Sequence, residues 1–239
     1  MPETTMVVDA SGETKPRTFY VLPPADYDPN TSYRLVFGWH FQGGSASDLV
    51  ASGIYGIPAL LPEAIYVVGQ GLPDGSGKPG WENAHGQDLA FTRAMIAWSE
   101  ENFCVDPARI MSTGMSAGGE MSDLIGCEMP DVFRAVGLMS GSLAGYGPSY
   151  CVSHPIAAWL THGTADPLID ISFGKTAVDQ FVLDDGCATT TTVPDPTLPC
   201  VSYDGCDPEH PVVWCPVSGE GHVIPSFAPA GIAAFFSQF

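Results

Sequence analysis

The sequence predicts an α/β fold, a mostly parallel central sheet with helices on both faces. Three observations predict it. Short apolar runs alternate with stretches of helical period, as parallel strands joined by crossover helices require. One run, Tyr33-Arg34-Leu35-Val36-Phe37-Gly38-Trp39, is apolar almost throughout, as a strand covered on both faces would be. Third, Gly114-Met115-Ser116-Ala117-Gly118-Gly119 lies between the apolar run Ala108–Thr113 and the helical stretch Glu120–Cys127. A strand feeding a G-x-S-x-G turn and then a helix puts a serine on a tight, strained corner. The residues two before and two after that serine must lack side chains, and both are glycine.

Composition narrows the possibilities. The chain has 239 residues, of which 45% are hydrophobic and 10% aromatic, enough for a full globular core. No repeat and no linker interrupts it, so residues 1–239 are expected to form one catalytic domain. No apolar stretch approaches the roughly 18 residues that span a bilayer. Eight basic residues against 27 acidic ones give a net charge of −19. That balance argues against nucleic acid and against anionic membranes as partners, since both need basic patches. Seven cysteines in a chain of this size point to disulfides and an oxidising, extracellular location. No signal peptide is recognisable at Met1–Thr5, so an exported protein would be represented here by its mature segment. Cys200, Cys206, His210 and Cys215 can be drawn as a zinc site, but they include no C-x-x-C pair and the reading is disfavoured.

The elements follow in order. Arg17–Leu22 reads as a first strand stopped by Pro23-Pro24, and Asp26–Ser32 as a turn. Strand Tyr33–Trp39 ends in His40-Phe41-Gln42-Gly43-Gly44-Ser45, a loop suited to presenting a backbone N–H outward. Ala64–Gly69 is a third strand, followed by a long Gly/Pro-rich loop, Gly71–Trp81, of the kind that carries function. Gln87–Phe103 has the apolar spacing of a helix. After the serine strand and its helix come strands Phe133–Ser140 and Pro155–Thr161, the latter leading into His162-Gly163-Thr164-Ala165-Asp166. Ser172–Asp185 reads as a helix with Ser172 as cap and Gly186 as stop. Cys200–Tyr203 and Val212–Cys215 are two short strands, and Phe227–Phe239 closes the chain as a helix.

A serine hydroxyl is a poor nucleophile near neutrality and needs a base within reach, itself oriented by an acid. In this topology the partners follow as Ser, acid, His, each on a loop at a strand's carboxyl end. Of six histidines only His210 and His222 come late enough, and His210 precedes its strand. That leaves His222 as base. Asp166 is the preferred acid, with Asp170, Asp184 and Asp185 as alternatives. The oxyanion donors are expected to be the N–H of Ala117 and one from the Phe41–Gln42 loop.

The glycine-flanked serine, Asn102-Phe103-Cys104-Val105-Asp106, Pro130–Val136 and His162–Asp166 resemble secreted feruloyl esterases. These belong to the carbohydrate-esterase branch related to polyhydroxybutyrate depolymerases and acetyl xylan esterases. Asp185-Gly186-Cys187, Tyr203-Asp204-Gly205-Cys206 and Glu220-Gly221-His222 are similar to that group's late segments. The resemblance runs from about Arg17 to Phe239. It implies an α/β-hydrolase fold, secretion, no cofactor and no metal, and a triad of Ser116, Asp166 and His222. By the same resemblance Gln42 is the favoured loop donor, although Phe41-Gln42 stands where many hydrolases have a glycine after His. The function implied is release of hydroxycinnamates such as ferulate from plant cell-wall polysaccharide. Alternatives are an acetyl xylan esterase, a polyhydroxyalkanoate depolymerase, an aromatic polyester hydrolase, or a catalytically inactive carbohydrate-binding fold. Phe41, Trp81, Met115, Leu143, Tyr146, Leu168, Ile169, Val223 and Ile224 are candidates for substrate walls, Trp81 foremost. If Tyr203 pairs with Val212, Cys200 falls opposite Cys215, close enough for a disulfide. Cys187–Cys206 and Cys104–Cys127 are the expected companion bridges.

Overall fold

The computed structural model describes residues 2–143 and 155–239. Its main sheet has ten strands in the order β1-β2-β4-β3-β7-β8-β9-β12-β11-β10. The central strands are β3 (Tyr33–Trp39), β4 (Ala64–Gly69), β7 (Val105–Met115), β8 (Ala135–Met139), β9 (Ala157–Gly163) and β12 (Val212–Val217), all mutually parallel. Antiparallel strands flank them: β1 (Glu3–Val8) and β2 (Thr14–Leu22) at one edge, β11 (Val201–Tyr203) and β10 (Thr191–Thr192) at the other. A two-residue ribbon of β5 (Leu72–Pro73) and β6 (Pro79–Gly80) folds the Gly/Pro-rich loop back on itself.

Helices cover both faces. Phe91, Met95 and Ile96 of α2 (Gln87–Asn102), Met121 and Ile125 of α3 (Ala117–Glu128), and Phe181 of α4 (Ile171–Asp184) share one buried cluster. Leu49 of α1 (Ala46–Ala51), Ile57 of a 3₁₀ turn (Ile54–Ala59), and Ile232 and Phe236 of α5 (Ala228–Phe236) fill the other. The all-apolar strands follow from this: β4 and β8 are buried at every residue.

Some elements differ from the sequence reading. Strand β1 was not foreseen because only Val7 on it is buried, while Met6 and Val8 face outward at the sheet edge. Its partner is supplied by the turn at Asp9–Gly12, where the Asp9 carboxylate accepts from the Ser11 and Glu13 amides. Helix α4 is capped by Asp170, not Ser172: the Asp170 side chain accepts from the Ser172 N–H.

In the late hairpin Val201 faces Trp214 and Ser202 faces Val213, the register that sets Cys200 opposite Cys215. Those two cysteines form a disulfide, as do Cys187 and Cys206. The expected Cys104–Cys127 bridge is corrected: Cys104 is a free thiol, and Cys127 is disulfide-bonded elsewhere. Unequal rise is the reason. From Ser116 helix α3 returns only about 17 Å to Cys127, whereas the strand side runs back about 40 Å to Cys104.

Asp185, just past α4, is 4% exposed; it accepts from the Ile156 N–H, and its second oxygen lacks a partner among the described residues. Burial, with Asp184 and Asp207 adding repulsion, pushes its carboxyl up to about 8. A raised acid pKa means that the folded state holds a proton which the unfolded chain has lost between pH 4 and 8. Stability therefore falls as pH rises through that window. Asp185→Asn is expected to raise the melting temperature at pH 8 by on the order of 5 °C, with little change at pH 4. Equal shifts at both pH values would show that the carboxyl does not titrate there.

Candidate active site

Ser116 stands between β7 and α3 with φ 57° and ψ −125°, a left-handed conformation uncommon for a residue with a side chain. Close backbone packing holds it there. A Cβ on Gly114 would lie 2.3 Å from the Gly118 backbone, and one on Gly118 would lie 2.1 Å from the Trp39 carbonyl. Gly141, after β8, would meet the Ser116 carbonyl at 2.0 Å. The first two requirements are visible in the G-x-S-x-G spacing. The third arises from two strands meeting in space. Ser116 also donates its backbone N–H to Met139 O, which locks the corner to the neighbouring strand.

Asp166 follows β9 and His222 follows β12, adjacent parallel strands, so both loops emerge at the same end of the sheet. The structure brings the two side chains together: His222 Nδ1 lies 2.7 Å from Asp166 Oδ2. The other carboxylate oxygen accepts from Leu168 N at 2.9 Å and Ile169 N at 3.0 Å. Burial opposes ionisation of Asp166, but these amides and His222 outweigh it and hold the carboxyl below its ordinary range. Asp170 is occupied as a helix cap, and Asp185 lies beside Ile156.

His162, at the end of β9, was read as part of a loop but is a buried strand residue. Its Nε2 lies 2.8 Å from Ile169 O and 3.2 Å from Asp166 Oδ2, so this N–H braces the acid loop from beneath. Gly174 of α4 makes room for the ring; a Cβ there would fall 2.7 Å from His162 Nδ1. His162→Leu is expected to lower kcat by about 10- to 100-fold with KM little changed. His162→Gln keeps an N–H donor and should recover part of that loss, while Gly174→Ala should reproduce it in milder form. Native kcat in a folded His162→Leu variant would rule the brace out.

A cleft of about 650 Å³ lies over the serine, lined by Ser116, Ala117, Gln42, Trp81, Glu120, Leu143, Leu168 and Ile169 with Asp74 and Glu82. Gln42 and Ala117, the expected oxyanion donors, therefore border one space with Ser116. The Gln42 side chain is tethered to Asp74, Nε2 to Oδ2 at 2.6 Å, and the Gly43 N–H donates to Pro79 O. Asp74 is held down to about 2 by the Ser76 hydroxyl first, then by the Lys78 amide and its other donors. It stays ionised and keeps the loop anchored.

The substrate-wall candidates divide. Leu143, Ile169 and Leu168 line the cleft, Leu168 with 74% of its surface exposed. Trp81, the foremost candidate, lines it too, but mostly as a buried residue: it is only 8% exposed, donates its indole N–H to His40 O, and packs edge-on against Trp39. The described residues around the cleft do not include Phe41, Met115 or Val223. Met115 is buried in the core, Phe41 borders a second cavity together with Ile224, and Val223 is exposed. Tyr146 lies outside the described residues.

Glu120 was missed in the sequence. It sits one turn into α3, and its N–H donates to Ser116 O. Burial, then repulsion from Asp123, pushes its carboxyl up to about 7, with His222 pulling the other way. A carboxyl thus faces the cleft over Ser116, within electrostatic reach of His222. Buried Arg17, paired with Asp88 at 2.9 Å and donating to Gln70 O, was likewise invisible, because its partners come from the first turn of α2 and the segment after β4, both distant in sequence.

Comparison with known proteins identifies the family. No protein-family model matches the chain. The curated Feruloyl esterase D of Neurospora crassa is 32% identical over 250 residues, covering 94% of this chain and 83% of that protein. The chain belongs to the feruloyl esterase family. Feruloyl esterase C of Emericella nidulans is a further relative, 34% identical over 228 residues, with 90% of this chain and 78% of that protein covered. Solved structures share the fold of this feruloyl esterase family member, a mostly parallel α/β-hydrolase sheet with flanking helices. Acetyl xylan esterase from Aspergillus awamori superposes with a TM-score of 0.75 at 14% identity, over 99% of this chain and all of that one. A ferulic acid esterase from Anaeromyces mucronatus, in complex with ferulic acid, superposes with a TM-score of 0.60 at 16% identity, over all of this chain and 89% of that one.

Proposed function

We propose that the protein is an extracellular, single-domain serine esterase that releases ferulate and related hydroxycinnamates from feruloylated plant cell-wall polysaccharide. The observation that carries this reading is the His222–Asp166 pair at the same sheet end as the strained Ser116, in a chain of the feruloyl esterase family. His222 Nδ1 donates to Asp166, which leaves Nε2 to accept the Ser116 proton as the hydroxyl attacks the ester carbonyl. The oxyanion that forms is received by the N–H groups of Ala117 and Gln42. Collapse of the tetrahedral intermediate expels the alcohol, which takes its proton from His222 and leaves the acyl group on Ser116. Water activated by His222 then repeats the sequence and frees the acid. No cofactor enters the scheme. Leu143, Leu168 and Ile169 supply apolar walls for a flat aromatic acyl group, and ionised Asp74 opposes retention of the anionic product.

A panel of methyl ferulate, acetylated xylan and an aromatic diester, assayed at equal enzyme concentration, tests the substrate. Methyl ferulate is expected to lead by at least about tenfold in kcat/KM. Preference for acetylated xylan would reassign the chain as an acetyl esterase. Failure to hydrolyse any of the three would make it an inactive fold.

A further inference from the structure

A second cavity, of about 410 Å³, borders the catalytic loop: Phe41 lines it, as Gln42 lines the cleft. Leu49, Tyr55 and Ile224 complete an apolar wall, with Ser52 among the surrounding residues. Two polar groups at its edge, Ser45 and Asp48, are hydrogen-bonded to each other at 2.7 Å. Neither Ser116 nor His222 lines this space, but its lining residues adjoin each part of the site. The Tyr55 hydroxyl donates to Trp39 O at 2.6 Å and bonds the Met115 backbone. Trp39 leads into the oxyanion loop, and Met115 immediately precedes Ser116. Ile224 is two residues beyond His222. The segment that delivers Tyr55 is strained: Ile54 and Tyr55 have φ of 46° and 60°, between Gly53 and Gly56, which are also left-handed. A β-branched residue held in that region is over-determined by its surroundings, a pattern that concentrates at ligand sites.

The chemistry decides what this cavity holds. With the ester carbonyl oxygen facing Ala117 and Gln42, the leaving oxygen must face His222, which protonates it. Acyl and alcohol diverge from the carbonyl carbon, so the acyl group takes the cleft shared with Ser116. The alcohol runs past His222 toward Ile224 and half-exposed Phe41. We propose that the cavity lined by Phe41, Leu49, Tyr55 and Ile224 is a leaving-group subsite for an apolar alcohol. It gives the enzyme a preference, among hydroxycinnamate esters, for alkyl and arylalkyl alcohols long enough to reach that wall over the methyl ester. This inference rests on the serine-esterase reading above. A hydroxyl-rich sugar finds few partners in such a wall, whereas a hydrocarbon chain exchanges water for apolar contact there.

The test is an alcohol series: methyl, butyl, hexyl and benzyl ferulate, assayed on one preparation. kcat/KM is expected to rise about fourfold for each methylene that becomes buried, through a falling KM, and to level off once the cavity is full. Ser52→Trp, which narrows the cavity, and Phe41→Ala, which removes one wall, should each bring the hexyl-to-methyl ratio close to one. That ratio does not depend on the active fraction of a preparation, so a poorly folding variant leaves it readable. A flat series in an enzyme that hydrolyses methyl ferulate overturns the subsite. A rise untouched by either variant also overturns it, since the chain must then bind elsewhere. Failure of wild-type enzyme to hydrolyse any ferulate ester strikes instead at the esterase reading.

Discussion

Ser116→Ala is expected to reduce kcat on methyl ferulate by about a million-fold, leaving only the residual rate that an oxyanion hole and binding supply. The size of the loss follows from the mechanism. Without the hydroxyl there is no acyl-enzyme, and His222 has no proton to accept. Stability should change little, because the strain at φ 57° is carried by the backbone and is the same for alanine. The locking hydrogen bond from the residue 116 N–H to Met139 O is also retained. Rates at matched concentration, with melting curves beside them, check both halves. Turnover within tenfold of wild type in a folded variant would exclude Ser116 as nucleophile.

Asp166→Asn should lower kcat by about ten-thousand-fold. An asparagine oxygen can still accept from the Leu168 and Ile169 amides, so the loop keeps its geometry. Its amide nitrogen then faces His222 Nδ1 and favours the tautomer with the proton on Nε2, which cannot accept from Ser116. The substitution therefore separates electrostatics and tautomer control from positioning. Asp170→Ala is the contrasting control: it removes the cap of α4, costs about 1 kcal/mol of stability, and should leave kcat within a few-fold. A larger loss at Asp170 than at Asp166 would reverse the assignment of the acid.

Much of the site was legible because its requirements are local. The glycines around Ser116 are demanded by a corner whose atoms all lie within a few residues, so spacing alone reveals them. The positions of Asp166 and His222 could be inferred because parallel strands put successive loops at one end of the sheet. The hairpin register that sets Cys200 opposite Cys215 follows from strand geometry once one pair is guessed. Trp81 and Cys104 show where such reasoning fails. Nothing near Trp81 in sequence announces that its indole N–H meets the His40 carbonyl and its ring meets Trp39. Cys104 and Cys127 flank one strand–helix unit, but a helix climbs less than half as far per residue as a strand. Nearness in the unit was mistaken for nearness in space.

The sequence by itself determined the fold class, the glycine-flanked corner that holds Ser116 in a strained conformation, and the placement of Asp166 and His222 on successive loops at one end of the sheet. Each depends on periodicity or on sterics within a short peptide. Tertiary structure alone decided that Gly141 must clear the Ser116 carbonyl, that His162 braces Asp166, and that Glu120 faces the cleft within electrostatic reach of His222. It also decided that Phe41 and Ile224, nearly two hundred residues apart, wall a common cavity. Those contacts join residues from separate strands and loops. Their distances are set by how crossover helices and loops pack on the sheet, which no short stretch of chain encodes.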